Sequence, residues 1–382
     1  MTMMDWKKDE ILGGFPDIFT CNDGKRLETK EQWPQRRKEL LDAIVPLLYG
    51  GLPPKPEVLK VEKPYDLRNL YTYAVKTGTK ERTLTFDMKL YAPEGEGPFP
   101  VLLTGDACFG NCTEQVIREA NARGYLVAVF NRLNFALDNY EEADYTGGVY
   151  DIYPGKKFGA IAAWAWGYHR CVDALEQIPM ADSSCIAISG HSRGGKTALL
   201  AAATDERILF TQDNASGTCG GGCFRYVQYA TPEQMHKFGV EDVHSEPLEF
   251  LRGIVPYWMG PDIWEYCGKE QELPFDQHFL KAAIAPRYLL ATNSIDDVWA
   301  NPKGSYQTYL AAKELYRFLG VEDRIDTVYR YGAHAHRYED FCRFLDFMDA
   351  ARNGRPFLSG NADKAIGMPF VFAKTDSPDN RE

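Results

Sequence analysis

Short, uninterrupted apolar runs recur through the chain and restrict its fold more than any other feature. Between them lie longer stretches with helical periodicity, of which 158–175 and 341–348 are the clearest. A strand that is apolar along its whole length is buried on both faces, as in a parallel sheet covered by helices. The runs are 101–103, 125–130, 185–188, 208–210 and 288–291, followed by a strand at 325–331. This alternation predicts an α/β fold, a three-layer sandwich around a mostly parallel sheet.

The N-terminal part follows different patterns. Thr29 to Gln32 forms a capping box and Pro34 suits a first helical turn, which predicts a helical strap. From Arg82 to Leu90 apolar and polar residues alternate, as is typical of a half-exposed antiparallel strand. We predict an N-terminal extension that packs on the core, one main domain and a C-terminal tail, with the bounds 1–65, 66–355 and 356–382.

Charge and cysteine usage exclude several classes of partner. The chain has 43 Lys and Arg against 54 Asp and Glu, and its basic residues form no cluster, so neither nucleic acid nor a membrane is expected as a partner. The longest apolar stretch, Phe158 to Trp166, is too short to span a bilayer. Scattered cysteines and a polar start at Met1 to Glu10 favour a cytoplasmic setting, unless a signal segment has been removed. Homo-oligomer formation stays open.

The segment from Cys185 to Leu200 carries the chemistry. An apolar strand leads into Gly190-His191-Ser192-Arg193-Gly194, the G-x-S-x-G pattern of a nucleophile elbow, and a helical stretch follows. The two glycines permit the sharp turn that lifts the Ser192 hydroxyl from the top of a sheet. The letters from Gly190 also fit G-x-x-x-x-G-K-T, the phosphate-binding P-loop. Local sequence does not separate these two interpretations.

The order of later residues favours the elbow. A hydrolase of this kind needs an acid and then a histidine, each placed after a later strand of the same sheet. Asp297 and His334 satisfy this order, with Asp296 and His336 as their alternatives. A P-loop needs no such histidine and normally begins its sheet. We predict Ser192 as the nucleophile, His334 as the general base and Asp297 as the acid that orients the imidazole.

Two further groups are predicted to stabilise the oxyanion or bind the substrate. The stretch 105–110 follows the first buried strand, and the backbone N–H of Ala107 or Cys108 is a candidate donor. Arg193 and Lys196 place positive charge beside the nucleophile, which suits an oxyanion and carboxyl-derived substrates. For both cations the alternative is a surface position on the helix.

Four segments resemble the glucuronoyl esterases of carbohydrate esterase family fifteen, and they are also similar to bacterial acetyl-xylan esterases. The segments are 158–167, 190–196, and 273–278 with 284–287, and the resemblance covers about residues 95–350. It implies an α/β-hydrolase that cleaves an ester of a small cell-wall carbohydrate without a metal or other cofactor. The residues that match the family are Ser192 as nucleophile, His334 as histidine, Arg193 at the oxyanion, and Lys196 and Arg225 toward the sugar. Trp299 is the nearest candidate for a tryptophan that lines the sugar site, displaced by one residue. For Arg225 the alternative is an ion pair with a neighbouring acid.

The chain departs from the family pattern at several positions. Many members carry a glutamate as triad acid where this chain has Ala215, so Asp297 is the better candidate. Fungal members have a disulfide-bonded cysteine where this chain has His191, which fits a reducing setting and counts against an extracellular polymer substrate. Two C-x-x-x-C pairs lie on loops near the predicted site, and their spacing favours free thiols over zinc; they are Cys108 with Cys112 and Cys219 with Cys223.

The sequence thus predicts a serine carboxylic-ester hydrolase that acts on a carbohydrate ester through an acyl-enzyme. The alternatives are a deacetylase of acetylated xylo-oligosaccharides, a P-loop nucleotide-binding protein, and a sugar-binding protein without turnover. These functions differ in the residues that must surround Ser192: a hydrolase needs a histidine and an acid, whereas a P-loop protein needs Lys196 free to reach a phosphate.

Overall fold

A nine-stranded sheet forms the centre of the computed structural model, which describes residues 8–138, 145–238, 244–357 and 366–372. The strands of the described residues are Glu10–Ile11 (β1), Val58–Leu67 (β2), Leu70–Gly78 (β3), Thr83–Tyr91 (β4), Phe99–Thr104 (β5), Leu126–Phe130 (β6), Ala181–His191 (β7), Ile208–Asn214 (β8), Tyr226–Val227 (β9), Tyr288–Ser294 (β10) and Ile325–Arg330 (β11). The sheet has the order β11-β10-β8-β7-β5-β6-β4-β3-β2, and β1 pairs with β9 outside it.

Neighbouring strands from β6 across to β11 run parallel. Each apolar run of the sequence lies in one of these strands, apart from Tyr125, which directly precedes β6, so the prediction of a buried parallel sheet is confirmed. Because the strands are parallel, their carboxyl ends meet at one edge of the sheet, which is where ligands bind in such folds. The ends of β7, β10 and β11 therefore bring together parts of the chain that are far apart in sequence.

The strands at the other edge of the sheet, from β6 to β2, pair antiparallel. Strand β4 pairs antiparallel with β3 and β6, and its Phe86, Met88 and Leu90 are buried while Thr85 and Asp87 are exposed, as the alternation predicted. The predicted end of the N-terminal extension at residue 65 lies inside β2, so the sheet begins earlier, at Val58. The sequence hides this strand because β2 is an edge strand with a mostly exposed, polar surface and a register shift near Pro64.

Helices cover both faces of the sheet, which confirms the three-layer prediction. Along β5, Val101 and Leu103 contribute to one core and Leu102 to the other. The α-helices of the described residues are Trp33–Tyr49 (α1), Glu114–Ala122 (α2), Val149–Ile152 (α3), Ala160–Leu175 (α4), Arg193–Thr204 (α5), Pro232–Phe238 (α6), Leu248–Ile254 (α7), His278–Ile284 (α8), Pro302–Phe318 (α9) and Tyr338–Arg352 (α10). Helices α2 and α10 pack on the Leu102 side, whereas α1, α4, α5, α8 and α9 contribute to the larger core.

The predicted strap packs on the larger core. Leu40, Ile44 and Leu48 of α1 are buried, and Trp33 Nε1 donates to the carbonyl oxygen of Ala285 at 3.2 Å. Residues 366–372 contact the segment that precedes this helix, where Phe372 stacks on Phe15 with ring centroids 3.9 Å apart. Among the described residues, no helix combines the length and apolar character needed to cross a membrane.

Candidate active site

Ser192 stands at a strained turn between β7 and α5. Its φ of 55° and ψ of −121° lie outside the usual regions for a residue with a side chain, as a nucleophile elbow requires. Glycine is needed on both sides, because a β-carbon at Gly190 would collide with the Gly194 carbonyl and one at Gly194 with the Asp106 carboxylate. The predicted elbow is confirmed as a backbone geometry.

An imidazole and a carboxylate face each other at the ends of β10 and β11. His334 Nδ1 lies 2.5 Å from Asp297 Oδ2, and the two side chains are 37% and 4% exposed. Because a carboxylate only accepts, Nδ1 carries the hydrogen and Nε2 of the neutral ring keeps its lone pair. Asp296 instead accepts the Gly332 N–H at 2.8 Å and so holds the loop that precedes His334. Of the two candidate acids, Asp297 is the one that contacts the imidazole.

The other candidate base, His336, is buried beneath this pair. Its Nε2 donates to Gln212 Oε1 at 3.3 Å, and its ring stacks on Phe341 with centroids 3.9 Å apart. Burial lowers the pKa of His336 well below its usual value. The geometry therefore favours His334 over His336 for contact with a substrate.

His191 connects the imidazole to the nucleophile turn, a role that the sequence did not reveal. Its ring centroid is 4.5 Å from that of His334, and its Nδ1 donates to Asn214 Oδ1 at 2.6 Å. Burial, together with the nearby His334, lowers the pKa of His191 to about 3, so this ring is uncharged at neutral pH. The His334 ring thus packs on the residue that precedes Ser192. The only signal in the sequence was an aromatic residue at the second position of the elbow motif.

The loop after β5 lies against the elbow. The buried Asp106 carboxylate accepts the His191 N–H at 2.9 Å and pairs with the buried Arg132. Within this loop the Ala107 N–H donates to the Phe130 carbonyl oxygen at 3.3 Å, whereas the Cys108 N–H takes part in no backbone–backbone hydrogen bond of the described residues. Of the two predicted oxyanion donors, Cys108 is therefore the one whose N–H is not already used in a backbone–backbone hydrogen bond of the described residues.

Lys196 is buried and not on the helix surface, so that alternative is wrong. Its side chain is 2% exposed, and Nζ donates to Glu246 Oε2 at 2.9 Å and to the carbonyl oxygens of Ser216 and Thr218 at 2.6 and 2.5 Å. An ammonium has three donors, so a contact between Lys196 and a sugar requires one of these bonds to be exchanged. The same bonds contradict the P-loop interpretation, in which this lysine must reach a phosphate.

Arg193 and Trp299 lie at the rim of the site. Arg193 is the first residue of α5, and its Nη1 donates to Asp138 Oδ2 at 2.8 Å. Trp299 follows Asp297 closely, is partly exposed, and meets the Phe250 ring edge-on with centroids 4.6 Å apart. Sequence reasoning missed Asp138, because the sequence around an acidic residue in a loop does not indicate which residue its carboxylate binds.

Arg225 lies in the interior, so the predicted contact with a substrate is wrong. Its side chain is 2% exposed and pairs with Asp276 at 3.1 Å, which was the alternative interpretation. The guanidinium also donates to the carbonyl oxygens of Leu273 and Phe275 at 2.5 and 2.7 Å. It therefore fixes the loop before α8, because a buried guanidinium must find acceptors for its donors.

All nine cysteines are free thiols, including the four of the two C-x-x-x-C pairs. Burial raises the pKa of Cys112 to about 12, and Cys219 and Cys223 are buried in the core. No group of three or more His, Cys, Asp and Glu side chains among the described residues is arranged to hold a metal ion. These thiols are protonated at neutral pH and pack as small apolar groups.

Comparison with known proteins gives a consistent set of relatives. A family model for "Glucuronyl esterase, fungi" matches residues 75–320, a range that contains Ser192 and Asp297 and ends before His334. The chain is similar to 4-O-methyl-glucuronoyl methylesterase 1 of Wolfiporia cocos, with 29% identity over 87% of this chain and 78% of that protein.

Solved structures show the same relationship. The chain is similar to a carbohydrate esterase family 15 glucuronoyl esterase from Caldicellulosiruptor kristjansonii, with 31% identity, a TM-score of 0.79 and 97% of both chains covered. It is also similar to the glucuronoyl esterase catalytic domain from Hypocrea jecorina, with 26% identity, a TM-score of 0.74, and 97% of this chain and 96% of that one covered. The coverage extends over the whole sheet and both helical layers.

Proposed function

The chain belongs to the glucuronoyl esterase family and is a serine carboxylic-ester hydrolase of the α/β-hydrolase fold, and from this premise we propose that it hydrolyses an alkyl ester of a 4-O-methyl-glucuronate-type sugar acid. One observation carries the proposal. The Asp297-bound His334 packs against His191, directly beside the strained Ser192. The substrate class comes from the names of the relatives, which are 4-O-methyl-glucuronoyl methylesterases.

Ser192 and His334 carry out the bond changes in this proposal. Ser192 Oγ attacks the ester carbonyl carbon while His334 Nε2 takes the hydroxyl proton. The tetrahedral intermediate collapses, the carbon–oxygen bond to the alcohol breaks, and Nε2 returns the proton to the departing alcohol. A water molecule then repeats the sequence on the acyl-serine, so one water is consumed, the uronic acid is released, and the serine hydroxyl is restored.

Asp297 serves as the acid of the triad. Its carboxylate holds the hydrogen on His334 Nδ1, which keeps Nε2 ready to accept a proton and stabilises the imidazolium that forms. Many members of the family have a glutamate at the position of Ala215, whose methyl side chain supplies no carboxylate. The carboxylate that binds His334 is therefore that of Asp297, which follows the end of β10.

Two groups hold the oxyanion in this proposal. The backbone N–H of Cys108 comes from the loop that is tied to the elbow through Asp106. Arg193 contributes its guanidinium and stands at the N-terminus of α5, where the helix dipole also favours negative charge. Trp299, with Phe250 against it, offers a partly exposed aromatic face beside which a sugar ring can stack.

The test compares two substrates and one label. We expect the protein to hydrolyse methyl 4-O-methyl-glucuronate at least tenfold faster than acetylated xylo-oligosaccharide, and a fluorophosphonate to modify Ser192, as read by peptide mass spectrometry. Ser184→Ala, a change at an exposed serine of β7, serves as the control and should leave both readouts unchanged. Preferred release of acetate would make the protein a deacetylase, and an unlabelled Ser192 with no turnover of either ester would contradict the esterase mechanism.

A further inference from the structure

A buried carboxylate that the reaction scheme does not use lies behind Arg193. Asp138 follows β6 in a loop, its side chain is only 5% exposed, and three donors converge on it. Arg193 Nη1 donates to Oδ2 at 2.8 Å, while Tyr257 Oη and Trp258 Nε1 each donate to Oδ1 at 3.1 Å. A buried carboxylate is costly unless it is paired and hydrogen-bonded, and Asp138 has both kinds of partner. Its position is therefore well fixed.

The guanidinium of Arg193 is restrained in a second way. Its central carbon lies 4.6 Å from the centroid of the Trp258 ring and 5.5 Å from that of Phe109. Contact with an aromatic face fixes the plane of a guanidinium, whereas a hydrogen bond to a carboxylate fixes its rotation within that plane. Trp258 takes part in both restraints, because its N–H binds Asp138 and its ring contacts Arg193.

Asp138 also belongs to a row of alternating charges along the elbow. Asp106 pairs with Arg132, Arg132 Nη2 lies 4.0 Å from Asp138 Oδ2, and Asp138 pairs with Arg193. Asp106 accepts the N–H of His191, the residue before the nucleophile. The row thus links the loop that carries Cys108 to the side chain of Arg193. The Cys108 N–H and the Arg193 guanidinium are the two contributors to the proposed oxyanion site.

We propose that Asp138 is a positioning residue of the oxyanion site that acts through Arg193. The inference rests on the proposed function, in which Arg193 binds the oxyanion. A free arginine side chain has many rotamers, and ordering it during the reaction would cost part of its interaction with the transition state. Asp138 fixes the guanidinium before substrate arrives, and donors that are fixed in advance are the ones that stabilise developing charge effectively.

The experiment is a double-mutant cycle between Asp138→Ala and Arg193→Met. Each variant is assayed for kcat and KM on methyl 4-O-methyl-glucuronate and for the rate of fluorophosphonate labelling of Ser192. Removal of an oxyanion donor lowers kcat by about 10²–10³-fold, so we expect such a loss for Arg193→Met and a loss of roughly tenfold to hundredfold for Asp138→Ala, with KM changed much less. The double variant should be no slower than Arg193→Met within about twofold, because Asp138 has nothing left to position.

Two comparisons separate positioning from a general effect on folding. Asp138→Asn keeps one oxygen for Arg193 and should lose less kcat than Asp138→Ala. Asp349 is a matched control, because it also accepts from a tyrosine hydroxyl, that of Tyr125 at 2.6 Å, and from the guanidinium of Arg123 at 3.2 Å, but on α10. Asp349→Ala should lower the unfolding midpoint and leave kcat unchanged.

The outcomes distinguish this inference from the proposed function. Two results would overturn the positioning role. One is a double variant in which Asp138→Ala lowers kcat as much in the Arg193→Met background as it does in the parent. The other is an unchanged kcat in Asp138→Ala. Should Asp138→Ala fail to fold, the same cycle with Asp138→Asn decides the matter. The labelling rates report on Ser192 and its oxyanion site whatever the ester. A non-additive cycle in labelling without turnover of the glucuronate ester would support the positioning role and reject the proposed substrate.

Discussion

The residues of the proposed active site fall into two regions that are held in place by different means. The catalytic strip consists of Ser192, Asp297 and His334, which stand at the carboxyl ends of β7, β10 and β11. The cation wall consists of Arg193 and Lys196 on α5, together with their partners Asp138 and Glu246. Backbone geometry and strand order position the strip, whereas buried ion pairs with distant loops position the wall.

The difference affects what each region contributes to stability. In the strip, Ser192 and His334 are partly exposed, and an asparagine has the same shape as the buried Asp297, so these side chains can be changed without opening the core. In the wall, the Lys196 ammonium and the Glu246 carboxylate are both nearly excluded from solvent. Such charges are tolerable only as a pair, because either one alone leaves an uncompensated charge in the interior. We expect changes in the strip to cost activity and changes in the wall to cost stability as well.

The strongest test of this comparison concerns the acid of the strip. Asp297→Asn should lower kcat by about 10⁴-fold, because the amide favours the wrong tautomer of His334. Asp296→Asn is the matched control at the adjacent position, and it should lower kcat less than tenfold, since Asp296 accepts from a backbone N–H, that of Gly332. Steady-state rates on the glucuronate ester and thermal unfolding measure both variants. Equal losses for the two variants, or a large drop in unfolding midpoint for Asp297→Asn, would remove the distinction between strip and wall.

The second test concerns the ion pair of the wall. Glu246→Ala leaves the Lys196 ammonium with two carbonyl oxygens and without the carboxylate of its ion pair, so we expect the free energy of unfolding to fall by about 3–5 kcal/mol. Lys196→Met in the same chain should restore part of that loss, because both charges are then absent. Glu249→Ala, at an exposed position on α7, is the control and should stay within about 0.5 kcal/mol of the parent. Urea unfolding measures all of them, and a stable but inactive Glu246→Ala would show that the wall serves the substrate alone.

The same contrast explains what could be predicted from the sequence. The parallel strands and the catalytic strip follow from local patterns and from their order along the chain, since the carboxyl ends of parallel strands meet at one edge. The wall depends on which acid in a distant loop meets which cation, and neither Asp138 nor Glu246 carries a local signal. Arg225 and Lys196 were misjudged for this reason, because a charged residue near a motif was taken to face solvent or substrate.

Strand β2 was overlooked for a related physical reason. Its strand character comes from pairing with β3 at the edge of the sheet, and its side chains mostly face solvent, so the sequence has no apolar alternation there. The use of His191 as a packing surface for His334 was hidden as well, because ring contacts between residues so far apart in sequence leave no spacing to recognise. What remains unpredictable from this sequence is the set of long-range polar partners.

The smallest expected effect concerns buried imidazoles. They must stay uncharged because, within the part of the chain that the structure describes, no carboxylate forms an ion pair with them as Glu246 does with Lys196. His278 stacks on Phe15, its Nε2 donates to the Pro16 carbonyl oxygen at 2.9 Å, and burial lowers its pKa to about 3. In the unfolded chain its pKa is about 6.5, so between about pH 6.5 and pH 3 only the unfolded state binds this proton, and stability falls as the pH is lowered. His278→Phe should reduce the dependence of the unfolding free energy on pH by about 1.4 kcal/mol per pH unit between about pH 4 and pH 5.5. His236→Gln, at an exposed position, should leave that slope unchanged. An equal slope in the parent and His278→Phe would mean that the ring is charged or solvated inside the folded protein, and the rule that this interior admits charge only in pairs would fail.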